Sequence, residues 1–186
     1  MTHTHYFLAI SLPDEIKKQL DTFVQRHKQS LPFKKWTHLE DYHITLVFLG
    51  AQPHDRLERL VTACQKLGEH ITSFPIQLEG LSTFGQEERP RIFWAGVRDS
   101  AELSAFQQSV KTCCQQEEIS VERRPYRPHV TLAKKWIGKG SFKEVASEVS
   151  QPPARLLHVT SFHLYRSHIG KTPSYEITES FPLRGQ

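Results

Sequence analysis

Residues 43–45 read His-Ile-Thr and residues 129–131 read His-Val-Thr. On a strand successive side chains point to opposite faces, so each triplet sets an imidazole and a hydroxyl side by side on one face. Proton transfer at phosphorus is the chemistry that suits such a pair. Displacement at a phosphate needs a base for the nucleophile and an acid for the leaving oxygen, on opposite sides. Histidine serves either role near neutral pH, because its ordinary pKa is about 6.5. Threonine hydroxyls two residues along then hold the non-bridging oxygens. No metal or other cofactor is needed, and the chain has neither the HExxH nor the CxxC pattern of a zinc site.

The triplet alone decides nothing. With eleven His and thirteen Thr in 186 residues, about one His-x-Thr is expected by chance. Four occur, at His43, His70, His129 and His158. His70 closes a predicted helix in the polar run GEHITS, and His158 sits in mid-strand, where a satisfied surface histidine is the ordinary outcome. His43 and His129 differ from both. Each opens a strand, after LEDY in one case and RRPYRP in the other, and each has Leu as the fourth residue of its motif.

The elements that must position them follow from periodicity. YFLAISL (6–12), HITLVFLG (43–50), FPIQLEGLSTF (74–84), RIFWAGV (91–97), HVTLAKKW (129–136), ARLLHVTSFHLYRS (154–167) and SYEITESFPL (174–183) read as strands. Helices are expected over 13–28, about 53–69, 100–114 and 142–149, with Ser100 as an N-cap. The halves also superpose: Phe7 to Phe93, Ala9 to Ala95 and His43 to His129 are each 86 positions apart. A twofold duplication is the simplest account, and it places the two His-x-Thr strands at equivalent positions about one cleft.

Composition sets the outer bounds. The 186 residues, 38% of them hydrophobic, suffice for one sizeable domain with an ordinary core. No apolar run is long enough to span a membrane, and the first residues do not resemble a secretory signal. Three cysteines, one isolated and two adjacent, read as buried reduced thiols in a cytoplasmic protein. A net charge of +4 suits an anionic partner without the dense basic patch of a duplex binder.

HITLVFLG and RPHVTLAKK together resemble the paired signatures of the 2H phosphoesterases, and more narrowly those of the RNA 2′,3′-cyclic phosphodiesterases, also called 2′-5′ RNA ligases. YFLAISLPDEIKKQL, KWTHLEDYHITLVFLG, RIFWAGV and LYRSHIGKTPSYEITESFPL extend the likeness along nearly the whole chain. The resemblance implies an α/β (α+β) fold over residues 1–186: a single bilobal domain of two pseudo-twofold-related antiparallel sheets, flanked by helices around a central cleft. It implies hydrolysis of an RNA-terminal 2′,3′-cyclic phosphate to a 2′-phosphate, and a monomer is expected. His43 would be the proton donor and His129 the acceptor, with Thr45 and Thr131 binding phosphate oxygens. The symmetry of the sequence itself treats the two histidines alike.

One position departs from the family pattern. Many members carry Arg five residues after the second histidine, where this chain has Lys134. Lysine keeps the charge but loses the planar two-pronged grip. Simple alternation also turns Lys134 away from His129, so either the strand bulges or Lys134 is a solvated charge. Arg127 is a second candidate phosphate ligand. Phe48, Trp94, Tyr126 and Trp136 are candidates to stack on the terminal base. Rival readings are a phosphodiesterase for another cyclic phosphate or a 2′-5′ linkage, with weak reverse ligation, and an RNA-binding module without turnover.

Overall fold

The computed structural model describes residues 4–185. In chain order the elements are β1 (Tyr6–Ser11), α1 (Asp14–His27), β2 (Phe33–Trp36), a 3-10 turn (Leu39–Asp41), β3 (His43–Gly50), α2 (His54–His70) and β4 (Phe74–Gly85). There follow β5 (Pro90–Val97), α3 (Ala101–Gln116), β6 (His129–Trp136), α4 (Phe142–Ala146), β7 (Arg155–Val159), β8 (Ser161–Ser167) and β9 (Tyr175–Pro182). Their strands form two antiparallel sheets, ordered β3-β1-β8-β9 and β2-β6-β5-β4-β7.

The helices start where local chemistry starts them. Pro13 and Pro53 precede α1 and α2, and acids occupy both first turns. Before α3, the Ser100 hydroxyl accepts from the Leu103 N–H at 3.1 Å, as expected of an N-cap. Ile16, Leu20, Phe23 and Val24 form the buried stripe of α1 at helical spacing. α2 lies so close to β9 that a Cβ at Gly68 would meet the Pro182 carbonyl oxygen at 2.5 Å. Only glycine admits that approach.

Two expectations need correction, and one strand was not foreseen. The run 154–167 is two strands rather than one. The chain changes sheets at Thr160, whose carbonyl accepts from the Leu183 N–H, so β7 edges one sheet and β8 lies inside the other. β2 was not legible, because FKKW is too short to show alternation. α4 ends at Ala146, three residues before the expected limit.

The order β3-β1-β8 matches β6-β5-β4, as a duplication requires, while the outer strands β9 and β7 both come from the second half. Each half also lends strands to the other: β4 pairs with β5 of the second half, and β8 pairs with β1 of the first. The correspondence reaches a detail of register. In β3, Thr45 opposes Ala9 while Val47 opposes Leu8, leaving Leu46 as an extra residue. In β6, Thr131 opposes Trp94 while Ala133 opposes Phe93, leaving Leu132 extra. Both His-x-Thr strands thus bulge at their fourth residue. The carbonyls of the extra residues are satisfied from elsewhere, Leu46 by the Gln107 side chain at 3.1 Å and Leu132 by the Thr37 N–H at 2.9 Å.

One hydrophobic cluster runs through both sheets and their helices, from Leu8 and Ile10 to Phe93, Val130 and Leu132. A second, small cluster of Phe7, Ala9 and Tyr165 fills the opposite face of the first sheet, beneath the cleft. All three cysteines are buried thiols. Among the described residues no helix is long and apolar enough to cross a membrane.

Candidate active site

β3 and β6 lie against each other, so the two motifs meet where the sheets adjoin. Each histidine is fixed in the same way. His43 donates from Nδ1 to the Asp41 carbonyl at 2.7 Å, and His129 donates from Nδ1 to the Arg127 carbonyl at 2.8 Å. A ring whose Nδ1 carries the proton presents an unprotonated Nε2 for chemistry. On His43 that Nε2 accepts from the Thr45 hydroxyl at 3.0 Å. The imidazole–hydroxyl pairing expected along one strand face is therefore a direct contact in β3.

His43, Thr45, Thr131 and Lys134 line one cavity of about 170 Å³, with Lys35, Trp36, Thr37, His38 and Asp41 on its β2 side. Thr172, Ser174 and Tyr175 close it from the β8–β9 loop. His129 stands beside this cavity, near enough for its charge to act on His43. Lys134 reaches the cavity because of the bulge. After the extra residue Leu132 the alternation changes phase, so Ala133 is buried and Lys134 joins the face of His129 and Thr131. Lys135 takes a left-handed conformation (φ 61°), and the next residue, Trp136, returns to the core.

The same phase change shapes β3, where simple alternation would put Phe48 on the face of Ile44 and Leu46. Phe48 is 54% exposed, while Val47 and Leu49 are buried in its stead. Phe48 is thus the first-half counterpart of Lys134. The remaining aromatic candidates are held in structural roles. Trp94 is buried against the His129 ring, Trp136 donates to the Gly140 carbonyl at 3.0 Å, and Tyr126 donates to the Thr45 carbonyl at 3.0 Å. Arg127 is not among the residues lining the cavity; its guanidinium lies 5.9 Å from the Phe84 ring centroid. The Arg127 carbonyl anchors the His129 ring.

The rings around the two histidines set their titration. His43 sits among Phe7, Tyr165 and Tyr175, with centroids 4.9, 5.6 and 5.2 Å away, and His129 sits between Phe84 and Trp94 at 4.9 and 5.6 Å. Desolvation pushes His43 down to about 4, against the lift from the Asp41 carbonyl and carboxylate. Charges on His129 and Lys134 press in the same downward direction. Burial also lowers His129, opposed by its bond to Arg127. An anion between the rings favours their charged forms and reverses that trend.

Asp41 gave no signal in the sequence, being one acid in a short turn. It is 4% exposed, and its carboxylate accepts from the Ser174 N–H at 2.8 and 3.0 Å and from the Tyr175 N–H at 3.1 Å. Tyr165 and Tyr175 were missed for a related reason, since only the tertiary fold brings the closing strands under His43. By contrast, His158 is exposed on an edge strand, and His70 caps its own helix by donating to the Lys66 carbonyl at 2.7 Å. Neither approaches the cavity.

Among the described residues, two antiparallel sheets with four helices give the chain the fold of LigT. Escherichia coli LigT complexed with 3′-AMP superposes with a TM-score of 0.81 at 20% identity, covering 98% of this chain and 99% of that one. The protein TT0787 of Thermus thermophilus gives 0.75 at 23% identity, with the same coverage of each chain. The sequence profile of the 2′-5′ RNA ligase superfamily matches residues 12–171, and the chain belongs to that family. It is 39% identical over 185 residues to an RNA 2′,3′-cyclic phosphodiesterase of Geobacillus stearothermophilus, matching along its whole length but spanning 59% of that protein. It is 31% identical to an RNA 2′,3′-cyclic phosphodiesterase of Bacillus subtilis, over 96% of each chain.

Proposed function

We propose that this chain is a hydrolase that opens a 2′,3′-cyclic phosphate at the 3′ end of RNA, leaving a 2′-phosphate. His129 takes a proton from water through Nε2 as the water oxygen attacks phosphorus. The bond from phosphorus to the 3′ oxygen breaks, and a charged His43 delivers its Nε2 proton to that oxygen. Thr45, Thr131 and Lys134 hold the non-bridging oxygens as charge builds on them, with Arg127 at the rim. No step needs a metal or another cofactor.

The observation that carries this reading is the matched anchoring of the two rings by the carbonyls of Asp41 and Arg127, which keeps both Nε2 atoms off the backbone, His43 in the cavity and His129 beside it. The direction of transfer rests on family resemblance, because the anchoring is alike on both sides. The substrate class rests on the names of the Geobacillus and Bacillus relatives. The continuous core favours a single bilobal domain, and the reading includes a monomer acting in the cytoplasm.

The test is a short RNA ending in a 2′,3′-cyclic phosphate, incubated in excess EDTA, with the product read by phosphorus NMR. A 2′-phosphate supports the whole scheme. A 3′-phosphate means that the other oxygen leaves and the substrate lies reversed. Turnover that appears only when metal is returned overturns the metal-free mechanism.

A further inference from the structure

Lys35 has no part in the scheme above, yet it lines the same cavity. It lies on β2, the edge strand of the five-stranded sheet, directly opposite Lys134. Directly opposed residues of an antiparallel pair share a face, and like charges there are destabilising. Burial first, and then the Lys35 charge, lower the pKa of Lys134, against a lift from the Asp41 carboxylate.

Among the described residues neither ammonium has a carboxylate within salt-bridge distance. Asp41 is the one carboxylate lining the cavity, and both its oxygens are taken by the backbone of Ser174 and Tyr175. Beside Lys35, His38 accepts from the Glu40 N–H on Nδ1 at 3.2 Å, so its Nε2 carries a proton and is a donor. Two cations on one wall without a direct ion pair, facing the single charge of Asp41 and with a further donor beside the outer one, exceed what a single singly charged cyclic phosphate needs.

We infer that Lys35, with His38 beside it, forms a second anion subsite that takes the phosphodiester one nucleotide upstream of the cyclic phosphate. This rests on the phosphodiesterase reading and makes the enzyme one for oligonucleotide ends rather than cyclic mononucleotides. Lys134 then serves the terminal phosphate and Lys35 the next one along the strand.

The experiment compares kcat/KM for a cyclic mononucleotide and for a dinucleotide with the same terminal cyclic phosphate, in wild type, Lys35→Gln, Lys35→Glu and Lys35→Arg. The wild type should prefer the dinucleotide. Lys35→Gln should cut that preference about tenfold, on the scale of one charge-assisted hydrogen bond. Lys35→Glu should cut it further, and Lys35→Arg should keep it. For the dinucleotide, the slope of log(kcat/KM) against log salt should become shallower by about 0.7 in Lys35→Gln, one phosphate contact on a single strand. An unchanged preference overturns the inference, as does an equal loss on both substrates, which would put Lys35 on the terminal phosphate. A wild type that hydrolyses neither compound removes the phosphodiesterase reading itself. Lys35 is exposed on an edge strand, so these variants should fold, and circular dichroism checks that they do.

Discussion

Asp41 holds His43 with its backbone and the far wall of the cleft with its side chain. The His43 Nδ1 donates to the Asp41 carbonyl at 2.7 Å, while the carboxylate gathers the N–H groups of Ser174 and Tyr175. One buried acid thus couples the orientation of an imidazole to the loop between β8 and β9.

Asp41→Asn separates charge from geometry. The amide oxygen still accepts from the loop, but the negative charge that favours a protonated His43 is gone, so the His43 pKa should fall further. Turnover at pH 7 should drop about threefold to tenfold, a loss of about 1 kcal/mol in barrier terms. Asp41→Ala also strands two backbone donors and should cost about 3 kcal/mol of stability by denaturant titration. An Asp41→Asn protein with wild-type turnover would mean that the charge is irrelevant.

The pH dependence should be displaced to the acid side. In the scheme His43 must be charged and His129 neutral, and both pKa values lie below the ordinary imidazole value in the protein alone, His43 near 4. kcat/KM reports the free enzyme, so its bell should peak below about pH 6.5 and decline as His43 loses its proton. The bell for kcat should sit higher, because the bound phosphate anion favours imidazolium. A kcat/KM optimum above about pH 7.5 would exclude His43 as the titrating acid.

His43→Ala and His129→Ala should each lower kcat by about 10²–10⁴-fold, the usual worth of a general acid or base. His70→Ala and His158→Ala should leave it within twofold, since both lie outside the cavity. Comparable damage from His158→Ala would mean that the wrong pair of motifs has been chosen.

At Lys134, removal of charge and change of shape can be told apart. Lys134→Met should reduce kcat/KM about tenfold to hundredfold, as expected for losing a charged hydrogen bond. Lys134→Arg should equal or exceed the wild type, because guanidinium adds the bidentate grip. A Met variant with full activity would return Lys134 to the solvent.

His163 predicts a stability slope outside the chemistry. It is buried, with Ser11 and Ser161 each 3.2 Å from Nε2 and Ser180 2.9 Å from Nδ1, and burial and the nearby Lys17 charge lower its pKa. Between its folded value and about 6.5 the unfolded chain binds a proton that the folded chain does not, so stability rises with pH through that window. Tm should therefore fall on acidification from pH 7 to 5, and His163→Gln should flatten that fall. An unaltered slope in the variant would assign the effect to His43 and His129, which have the same sign.

Most of the fold was legible because it is written in short-range pattern. The stripe Ile16, Leu20, Phe23 and Val24, the Ser100 cap and the 86-residue echo each need only local spacing to be seen. The position of the two histidines at the openings of equivalent strands was legible for the same reason. The phase of β3 and β6 beyond Thr45 and Thr131 was not. A bulge is a property of a strand pair, and neither LVFLG nor LAKKW announces which residue goes unpaired. Asp41, Tyr165, Tyr175 and Lys35 escaped notice because their roles come from contacts between segments far apart in the chain.

The exchange of strands between the halves also governs the order in which the molecule can be built. The sheet that carries His43 takes β8 beside β1, joining residues 6–9 to residues 163–166. During synthesis the first motif therefore waits for β8 and β9, residues 161–182, before its sheet is complete. Contacts of such sequence separation close late and slowly. Nascent chains stalled before β8 should expose the unpaired edge of β1, which makes this stage of translation the one most open to mispairing and to chaperone capture.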